Sequence, residues 1–430
     1  MIHFIFFIPI FLILCSLVII LFGRLLPKNG GYLSLFTTGL SFLAIGIVAG
    51  RVISGDIVLP VHQQFRWFMM DFYPVGMGLM LDGISLMLLF VITGIGFCIQ
   101  VYSLGYIHDE FVLKRYYAVS TLTTALLAAT VIVHSLFLFA MLWIGISLCS
   151  YLIITFWSDK TASIKGGFTG FMVTFIGDMC LLIAIIMLFV WLGTFNLGQI
   201  NHHIRAGYIT APMLETLAAL AAMAIISKAA LMPLHFWVHG AMEGPIPLTA
   251  FLHGTMMANI SVYLMLRFQF LFSSAPYTQA IFTWVVAVSI LMMSVFALSA
   301  VDIKTILAFS TISEAGYMLL VLRYGGTAPA VFHLFIHSAV KVLLFLAAGS
   351  VLFVLHTRDI RQMGGLAKRM PVTAILFFSG IVSLSGIPPF SGFFSKHASI
   401  LYICTGSSPL ICGIILTTVF ITSIYIFRLW

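Results

Sequence analysis

Of the 430 residues in this chain, 62% are hydrophobic and only 7% are charged. These proportions exclude a soluble protein, because soluble domains carry about a quarter charged residues. The formal net charge of +8 is spread singly between apolar runs, so it indicates membrane orientation, and no nucleic-acid partner is expected.

Apolar runs recur from one end of the chain to the other. Because a helix needs roughly 20 apolar residues to cross a bilayer, they predict about thirteen transmembrane helices and leave no room for a soluble domain. The first run, Met1 to Phe22, is too long for a signal-peptide core and lacks a cleavage site, so it is interpreted as a span. The predicted fold class is an all-α polytopic membrane protein, with spans near residues 3–23, 33–53, 80–104, 115–133, 136–157, 166–193, 212–236, 246–270, 279–299, 303–323, 328–356, 371–398 and 409–429.

Lysine and arginine concentrate in the odd-numbered connections between these spans. Examples are Arg24 and Lys28, Lys160 and Lys165, and the basic residues within 357–370. The positive-inside rule therefore places the odd-numbered connections inside and the N-terminus outside, and thirteen spans would leave the C-terminus inside.

Two predicted spans, the seventh and the twelfth, are interrupted by proline. The seventh contains Pro233 with Gly-Pro-Ile-Pro at 244–247 just beyond, and the twelfth contains Gly-Ile-Pro-Pro at 386–389. Each proline removes a backbone donor and leaves carbonyl groups unpaired at membrane depth. Interrupted spans in matching halves of a chain are typical of a transport site, although ordinary proline kinks are the alternative.

The five-helix spacing of the two breaks predicts two inverted five-helix repeats. The chain then divides into N-terminal helices 1–3 over residues 1–110, a first repeat of spans 4–8 over 111–272, and a second repeat of spans 9–13 over 273–430.

Three lysines lie at membrane depth in this scheme. Lys228 and Lys341 have no loop nearby, and Lys396 follows the second break. A lysine at the bilayer centre costs roughly 2.5–3.5 kcal/mol, so its presence calls for a reason. A buried lysine with a movable counter-charge can take up and release a proton near neutral pH. The alternative is that the side chain extends to the lipid headgroups, which suits Lys396 best.

A row of histidines accompanies the central lysine. His333, His337 and Lys341 are spaced i, i+4 and i+8 and so lie on one helical face, and His253 in the eighth span extends the row. Imidazoles titrate nearest neutral pH, so the row suits proton transfer through intervening water. An HxxxH pair can also bind a metal, but no acidic third ligand or cysteine stands nearby, so no metal site is expected.

Few acidic residues lie within spans. Asp178 and Glu314 are the clearest, and each needs a basic partner or water, because a buried charge without a partner is strongly disfavoured.

The six cysteines have no CxxC spacing and lie in apolar runs. They argue against an iron–sulfur, haem or zinc site and leave the redox compartment open; they are Cys15, Cys98, Cys149, Cys180, Cys404 and Cys412.

Together these segments resemble subunit 5 of respiratory complex I, a member of the antiporter-like proton-pumping family. Order and spacing hold from about residue 80 to 400, and the resemblance is carried by the motifs at 176–179 (Ile-Gly-Asp-Met), 227–235 (Ser-Lys-Ala-Ala-Leu-Met-Pro-Leu-His), 241–247 (Ala-Met-Glu-Gly-Pro-Ile-Pro), 302–311, 332–341, 359–366 and 391–396 (Ser-Gly-Phe-Phe-Ser-Lys). The resemblance implies that Lys228 is the lysine of the first broken helix, Lys341 the central lysine and Lys396 the lysine of the second broken helix. It also implies relay roles for the histidines of the row and places Asp178 near the first lysine.

The resemblance further implies a subunit of proton-translocating NADH:ubiquinone reductase with no redox centre of its own. NADH, FMN, iron–sulfur clusters and ubiquinone would belong to other subunits. The expected partners are other membrane-arm subunits, especially the subunit 4 paralogue, and membrane lipids.

One departure from the family pattern concerns the fifth span. The family carries a glutamate in a Trp-Glu-Gly motif paired with the first lysine, whereas this chain has Ile144 at that position. We hypothesise that Asp178 takes over as the counter-charge of Lys228. The alternative is that the first half-channel is inactive and only the second conducts.

A second departure is that subunit 5 normally continues into further spans and a long lateral helix, whereas this sequence ends at Trp430. The expectation is a C-terminally short form in which a separate chain supplies that helix or the complex dispenses with it.

Two rival functions stay open. One is a subunit of a cation/proton antiporter, a membrane-bound hydrogenase or a carbon-uptake complex, which share these repeats. The other is a structural membrane-arm subunit that has partly lost pumping, for which Ile144 is the best support. An independent enzyme is not expected, because no phosphate-binding glycine loop or nucleophile motif is present.

The family occurs in bacteria, plastids and mitochondria. The 40 phenylalanines, the divergent motifs and the short end favour the mitochondrial inner membrane, with the bacterial plasma membrane as the alternative.

Overall fold

The computed structural model describes residues 2–70, 73–107 and 110–430. Nearly all of it is helical, as predicted. The α-helices are α1 (Ile8–Phe22), α2 (Gly31–Ile53), α3 (Gly83–Tyr106), α4 (Glu110–Ile132), α5 (Leu136–Ile154), α6 (Thr161–Leu192), α7 (Leu197–Arg205), α8 (Ala211–Lys228), α9 (Trp237–Ala241), α10 (Ile246–Phe251), α11 (Met257–Arg267), α12 (Gln269–Ser273), α13 (Pro276–Ser299), α14 (Ile303–Arg323), α15 (Thr327–Leu355), α16 (Pro371–Ser385), α17 (Ser391–Gly406) and α18 (Pro409–Phe427). Short 3₁₀ turns occupy Ile2–Phe7, Gly23–Leu25, Pro27–Gly30, Ile360–Gln362 and Leu366–Lys368, and a π-helical turn, Leu252–Met256, joins α10 to α11.

Eleven helical stretches of the described residues are long and apolar enough to cross a bilayer. Each predicted span falls on a helix or on a pair of consecutive helices. Two predicted spans are not among these eleven stretches. They are the fourth, helix α4, which carries a cluster of hydroxyl residues at Ser120–Thr124, and the twelfth, the interrupted pair α16 and α17. A polytopic helical membrane protein is therefore confirmed, while the number thirteen stays a prediction.

Both predicted interruptions are present. Helix α8 ends at Lys228, five residues before Pro233, and an irregular segment leads to the short helix α9. Helix α16 ends at Ser385, Gly386 has a φ of 75°, and α17 begins at Ser391. The breaks thus place irregular backbone inside the helical bundle, beside two of the three predicted lysines.

A β-hairpin was not predicted. Strand β1 (Val61–Met70) pairs antiparallel with β2 (Tyr73–Leu81), so the third span begins later than the expected residue 80. Helix α3 starts at Gly83 because the Asp82 side chain accepts a hydrogen bond from the Ser85 amide, which satisfies one of the helix's free N–H groups.

The connections between spans segregate to the two ends of the bundle. At one end the connection before α14 meets the one after α15, where the Ile303 amide donates to the Arg358 carbonyl at 3.1 Å. At the other end the Leu136 amide donates to the Phe195 carbonyl at 2.9 Å, and Arg267 pairs with Asp82 at 2.6 Å. In these contacts an odd-numbered connection meets another odd-numbered one, and an even-numbered connection meets another even-numbered one. This is what a chain that crosses the membrane with every span requires.

A disulfide joins Cys404 of α17 to Cys412 of α18. This disulfide was not predicted from the sequence. Its two cysteines flank the twelfth connection, which is even-numbered and predicted to lie outside. A disulfide is typical of an oxidising compartment, so the pairing agrees with that orientation.

The centre of the bundle consists of α10, α11 and α14. The most apolar stretch of Ile246–Arg267 is entirely buried and that of Ile303–Arg323 is 94% buried, whereas α18 is only one-third buried. Helices α8, α15 and α17 pack against this centre, and α6 packs against α8.

Candidate functional site

The first group of ionisable residues joins α5, α6 and α8. The Lys228 ammonium lies 2.9 Å from Asp178 Oδ1, and their side chains are 6% and 0% exposed. Lys228 also donates to the Ser147 hydroxyl and, at 3.2 Å, to the Trp143 carbonyl, and its ammonium stands 4.8 Å from the centre of the Trp143 ring. Ser147 in turn donates to Asp178 Oδ2. The need of Asp178 for a basic partner is thus met.

A glycine permits this contact. A Cβ atom added at Gly177 would lie 1.8 Å from Ser227 Oγ and 3.2 Å from Ala224 Cα, so only glycine lets α6 approach α8 this closely. The next residue of α6, Asp178, is thereby placed beside Lys228, the last residue of α8.

Ile144 is half-buried on α5, three residues before Ser147 and therefore on the same side of the helix. Its side chain has no polar atom. On this face of α5 the polar contact to Lys228 is made by Ser147, and the carboxylate comes from α6.

His253 lies in the π-helical turn between α10 and α11. Such turns are frequent at functional sites because they open the regular backbone pattern. The His253 ring is fully buried and stacks on Phe345 of α15, with 5.1 Å between the ring centres. Neither ring nitrogen has a hydrogen-bond partner among the described residues.

The central lysine belongs to α15 and contacts α14. The Lys341 ammonium is fully buried and donates to the Ser310 hydroxyl and, at 3.2 Å, to the Leu307 carbonyl. No carboxylate of residues 2–70, 73–107 and 110–430 forms an ion pair with it. His337, one turn away, is 2% exposed, and its ring nitrogens also have no partner in the described part of the chain.

The second group joins α14, α15 and α17 around one carboxylate. Glu314 Oε1 lies 2.7 Å from the Lys396 ammonium, and Oε2 lies 3.0 Å from His333 Nε2. The other His333 nitrogen is 3.1 Å from the Ser395 hydroxyl, and Lys396 also donates to the Leu384 carbonyl at 3.0 Å. Glu314 is fully buried, so its carboxylate needs a partner, and the two basic side chains provide it.

Lys396 does not reach towards the bilayer surface. Its side chain is 4% exposed, and its ammonium lies 5.4 Å from the centre of the Tyr317 ring. The Tyr317 hydroxyl is 2.5 Å from Thr418 of α18. Extension to the lipid headgroups is therefore not the conformation of this lysine.

At the ends of two spans, Asp82, just before α3, and Arg267, the last residue of α11, form a further ion pair. Burial alone would raise the pKa of Asp82, but hydrogen bonds and attraction from Arg267 hold it below its usual value. Nearby, burial first and then the charge of Arg267 lower the pKa of His134 to about 4. These groups hold the connections together at the predicted outer end and lie apart from the buried lysines.

Two protein-family models match this chain. The family model described as NADH:quinone oxidoreductase/Mrp antiporter, transmembrane, matches residues 133–422, and that of the complex I chain 5 N-terminus matches residues 67–117. The chain belongs to the NADH:quinone oxidoreductase/Mrp antiporter family.

Relatives in this family are about a third identical. Chain 5 of the NAD(P)H-quinone oxidoreductase of Synechocystis is 32% identical over 86% of this chain and 56% of its own length. The chloroplastic subunit 5 of Nephroselmis olivacea is 31% identical over 94% and 64%, and NADH-quinone oxidoreductase subunit L of Escherichia coli is 32% identical over 95% and 67%. The chain therefore spans between half and two-thirds of the length of these relatives.

Solved structures show the same fold. The Mrp complex of a Dietzia species superposes with a TM-score of 0.90 at 24% identity, over 99% of this chain and 46% of that one. Respiratory complex I of Thermus thermophilus with bound NADH superposes with a TM-score of 0.84 at 20% identity, over 99% of this chain and 87% of that one.

Within this family fold, some of the predicted residues contact one another and others do not. Asp178 meets Lys228, and Glu314 meets both His333 and Lys396. His253, His337 and Lys341 contact none of the other predicted residues through a hydrogen bond within the described ranges.

A fourth lysine, which was not predicted, is also buried. Lys304 is 1% exposed, and its ammonium donates to the carbonyls of Met242 and Gly244 at 2.5 and 2.8 Å. It was overlooked because it lies near the start of a predicted span. The signal that points to it is the Gly-Pro-Ile-Pro stretch at 244–247, which interrupts the helix, so that the carbonyl groups of Met242 and Gly244 between α9 and α10 need a donor from another segment.

Four hydroxyl and amide residues were also missed. Ser147, Ser310 and Ser395 each contact a predicted lysine or histidine, and Asn259 of α11 accepts from Ser338 of α15 at 3.0 Å. Serine is common in membrane helices, so nothing in the sequence distinguishes these residues from others.

Proposed function

We propose that this chain is a proton-translocating membrane-arm subunit of respiratory complex I, of the subunit 5 type. In this proposal NADH-to-ubiquinone electron transfer occurs in other subunits, which bind NADH, FMN, the iron–sulfur clusters and ubiquinone. The partners are the other membrane-arm subunits, especially the subunit 4 paralogue, together with membrane lipids. The proposed location is the mitochondrial inner membrane, with the bacterial plasma membrane as the alternative.

One observation carries the proposal: four lysines and three histidines are at most 5% exposed within a helical bundle that spans the bilayer. Charged groups at this depth are expensive and are retained mainly along ion pathways. The set consists of Lys228, His253, Lys304, His333, His337, Lys341 and Lys396.

The proposed relay assigns Lys228, His253, His333, His337, Lys341 and Lys396 to proton transfer, with Asp178 and Glu314 as the acids that modulate it. A lysine that loses its counter-charge gives up its proton more readily, and one that gains it holds the proton. The pairs of Lys228 with Asp178 and of Lys396 with Glu314 supply such counter-charges at the two helix breaks. The ring nitrogens of His253 and His337, which have no hydrogen-bond partner within the described ranges, suit proton transfer through water between the two ends.

The two breaks also support the proposed division into inverted repeats, at 111–272 and 273–430. Irregular backbone within the membrane is tolerated where it lines a polar interior, and it recurs five spans apart in this chain. Each half would then provide one half-channel, with Lys341 between them.

Lys341→Ala tests the proposed function. In the intact complex, reconstituted into sealed vesicles, we expect the number of protons translocated per NADH oxidised to fall, because the central relay lysine is lost. The matched control is Lys368→Ala in an exposed connection, which should leave this ratio unchanged. An assembled Lys341→Ala complex with an unaltered ratio would instead favour a structural subunit that does not pump.

A second candidate is a cation/proton antiporter subunit, which the likeness to the Mrp complex favours. The two functions differ in ion dependence. Proton movement that requires sodium in the medium supports the antiporter, and proton movement driven by NADH oxidation without sodium supports the complex I subunit.

A further inference from the structure

In the first lysine group, the Lys228 ammonium and the Ser147 hydroxyl use all of their donors. The three protons of the Lys228 ammonium are donated to Asp178 Oδ1, the Ser147 hydroxyl and the Trp143 carbonyl. The hydroxyl proton of Ser147 is donated to Asp178 Oδ2. A lysine ammonium has three donors and a serine hydroxyl has one, so neither of these two side chains has an unused donor.

Burial makes each of these contacts consequential. Ser147 and Asp178 are each 1% exposed, and the Lys228 side chain is 6% exposed. Removing one member of a buried ion pair leaves an uncompensated charge, which is more costly than losing the pair as a whole. Asp178 therefore needs a donor at all times, including when Lys228 moves away or becomes neutral.

Ser147 supplies that donor. It lies one helical turn beyond Ile144 on α5, and its hydrogen bond to Asp178 Oδ2 does not depend on the charge of Lys228. With Ser147 in place, the Lys228–Asp178 pair can open while the carboxylate keeps one hydrogen bond and its position.

The central lysine offers an internal comparison. Lys341 also docks on a carbonyl and a serine hydroxyl of one neighbouring helix, those of Leu307 and Ser310 on α14. Lys228 likewise donates to a serine hydroxyl and a carbonyl of one neighbouring helix, but it also pairs with a carboxylate from a third helix. The addition of Asp178 thus separates the first site from the central one.

We propose that Ser147 is a positioning residue that holds Asp178 as the counter-charge of Lys228, so that the first half-channel of this chain keeps an acid–lysine pair that opens and closes although the α5 carboxylate is missing. This inference rests on the proposed proton-translocating function. It excludes the alternative that the first half-channel is inactive because residue 144 is isoleucine.

The decisive experiment exchanges the two acid positions in the intact complex in sealed vesicles. We expect Asp178→Asn to slow NADH-driven proton translocation severalfold, because Lys228 loses its carboxylate partner. Adding Ile144→Glu to Asp178→Asn should restore most of the rate, because a carboxylate returns to the face of α5 beside Lys228. If Asp178→Asn translocates protons at the unaltered rate, or if the double variant is no faster than Asp178→Asn alone, Asp178 does not stand in for the α5 carboxylate.

Ser147 is tested by a matched series on α5. We expect Ser147→Ala to slow proton translocation severalfold and Ser147→Thr, which keeps the hydroxyl, to retain most of it. The control is Ser150→Ala, because the Ser150 hydroxyl is buried nearby and, in the part of the chain that the structure describes, forms a hydrogen bond only with the Ser147 carbonyl, at 2.7 Å. Equal rates in Ser147→Ala and Ser150→Ala would overturn the positioning role.

Native gels and NADH oxidation by the redox subunits show that each variant complex is assembled. The Lys341→Ala complex separates the two levels of the proposal. If Lys341→Ala lowers the number of protons translocated per NADH while the Ser147 and Asp178 variants translocate protons at the unaltered rate, the inference is wrong and the proposed function stands. If none of them lowers it, both are wrong.

Discussion

Each buried lysine ammonium of this protein is satisfied by a different set of partners. Lys228 has a carboxylate, a hydroxyl and a carbonyl, whereas Lys396 has a carboxylate and a carbonyl. Lys341 has a hydroxyl and a carbonyl, and Lys304 has two carbonyls. A carboxylate stabilises the charged form of a lysine most strongly. Lys228 and Lys396, at the helix breaks, therefore have a stronger preference for the charged form than Lys304 and Lys341, which form no ion pair with an acid among the described residues.

At this scale we predict that Glu314→Gln disrupts the second half of the protein. Glu314 neutralises Lys396 and accepts from His333, so the amide would leave two buried basic groups without a counter-charge. Breaking such a pair costs about 3–5 kcal/mol. Proton translocation per NADH should fall, and thermal unfolding of the purified complex should shift to lower temperature.

Asp159→Asn is the control for that variant, because Asp159 is an exposed acid in a turn. It should match the unaltered protein in both measurements. Wild-type proton yield and melting temperature in Glu314→Gln would show that the carboxylate is not the shared counter-charge of Lys396 and His333.

The positions of Lys228, Lys341 and Lys396 could be predicted from the sequence, and Asp178 could be hypothesised as the counter-charge of Lys228, but Lys304 and the other partners of these lysines could not be predicted. A lysine within an apolar run is conspicuous because inserting it into lipid is costly. Its partner can lie anywhere in the chain: Asp178 is 50 residues from Lys228, and Glu314 is 82 residues from Lys396. The sequence required a basic partner or water for each acid, and helix packing decides which base each one meets.

At the scale of elements, close helix contacts place the ionisable side chains. Gly177 lets α6 touch α8, and Gly254 lets the π-helical turn touch α15, where an added Cβ would lie 2.3 Å from Val342 Cγ2. Small residues at such crossings are typical of membrane helices, whose association depends on van der Waals packing rather than on exclusion of water.

We predict that Gly177→Ala destabilises the protein and weakens the Lys228–Asp178 contact. The new methyl group would overlap Ser227, and forcing an extra methylene into a packed site costs about 1–3 kcal/mol. Thermal unfolding of the complex and proton translocation should both decline.

Gly413→Ala is the matched control on α18, because an added Cβ there meets no atom within 4 Å. Alanine is the better helix former by up to about 1 kcal/mol, so this variant should be neutral or slightly stabilised. Gly177→Ala behaving like Gly413→Ala would contradict a tight α6–α8 crossing.

The hairpin of β1 and β2 shows where elements escaped prediction. Strand β2 contains Pro74, Gly76 and Gly78, which are residue types depleted in strands. The segment forms a strand because its partner lies next to it in the chain and because the Gly78 carbonyl accepts from the His134 amide at 2.8 Å. Its conformation therefore depends on pairing more than on composition.

At the scale of the whole molecule, the alternation of connections and the disulfide bear on one topology. The contacts between connections show which ends lie together, and the disulfide between Cys404 and Cys412 marks one end as oxidised. Together with the basic residues of the odd-numbered connections, they support an outer location for the even-numbered end.

We predict that a membrane-impermeant maleimide labels the Cys404→Ser variant at Cys412 only from the outer side of intact organelles or cells. In the unaltered protein, reduction should expose two further reactive thiols, because these two cysteines are paired. Labelling from the inner side would reverse the orientation, and no gain of thiols on reduction would show that the disulfide does not form.

By itself the sequence determined that the chain is a polytopic helical membrane protein with two interrupted spans and lysines at membrane depth. These features follow from local composition, because lipid requires every span to be apolar and to satisfy its own backbone. Only the tertiary structure decided that Asp178 and Ser147 share Lys228, that Glu314 is divided between His333 and Lys396, and that Lys304 is buried. Those outcomes depend on which helices touch and at what height, and contacts between distant segments are set by packing of the whole bundle rather than by any one segment.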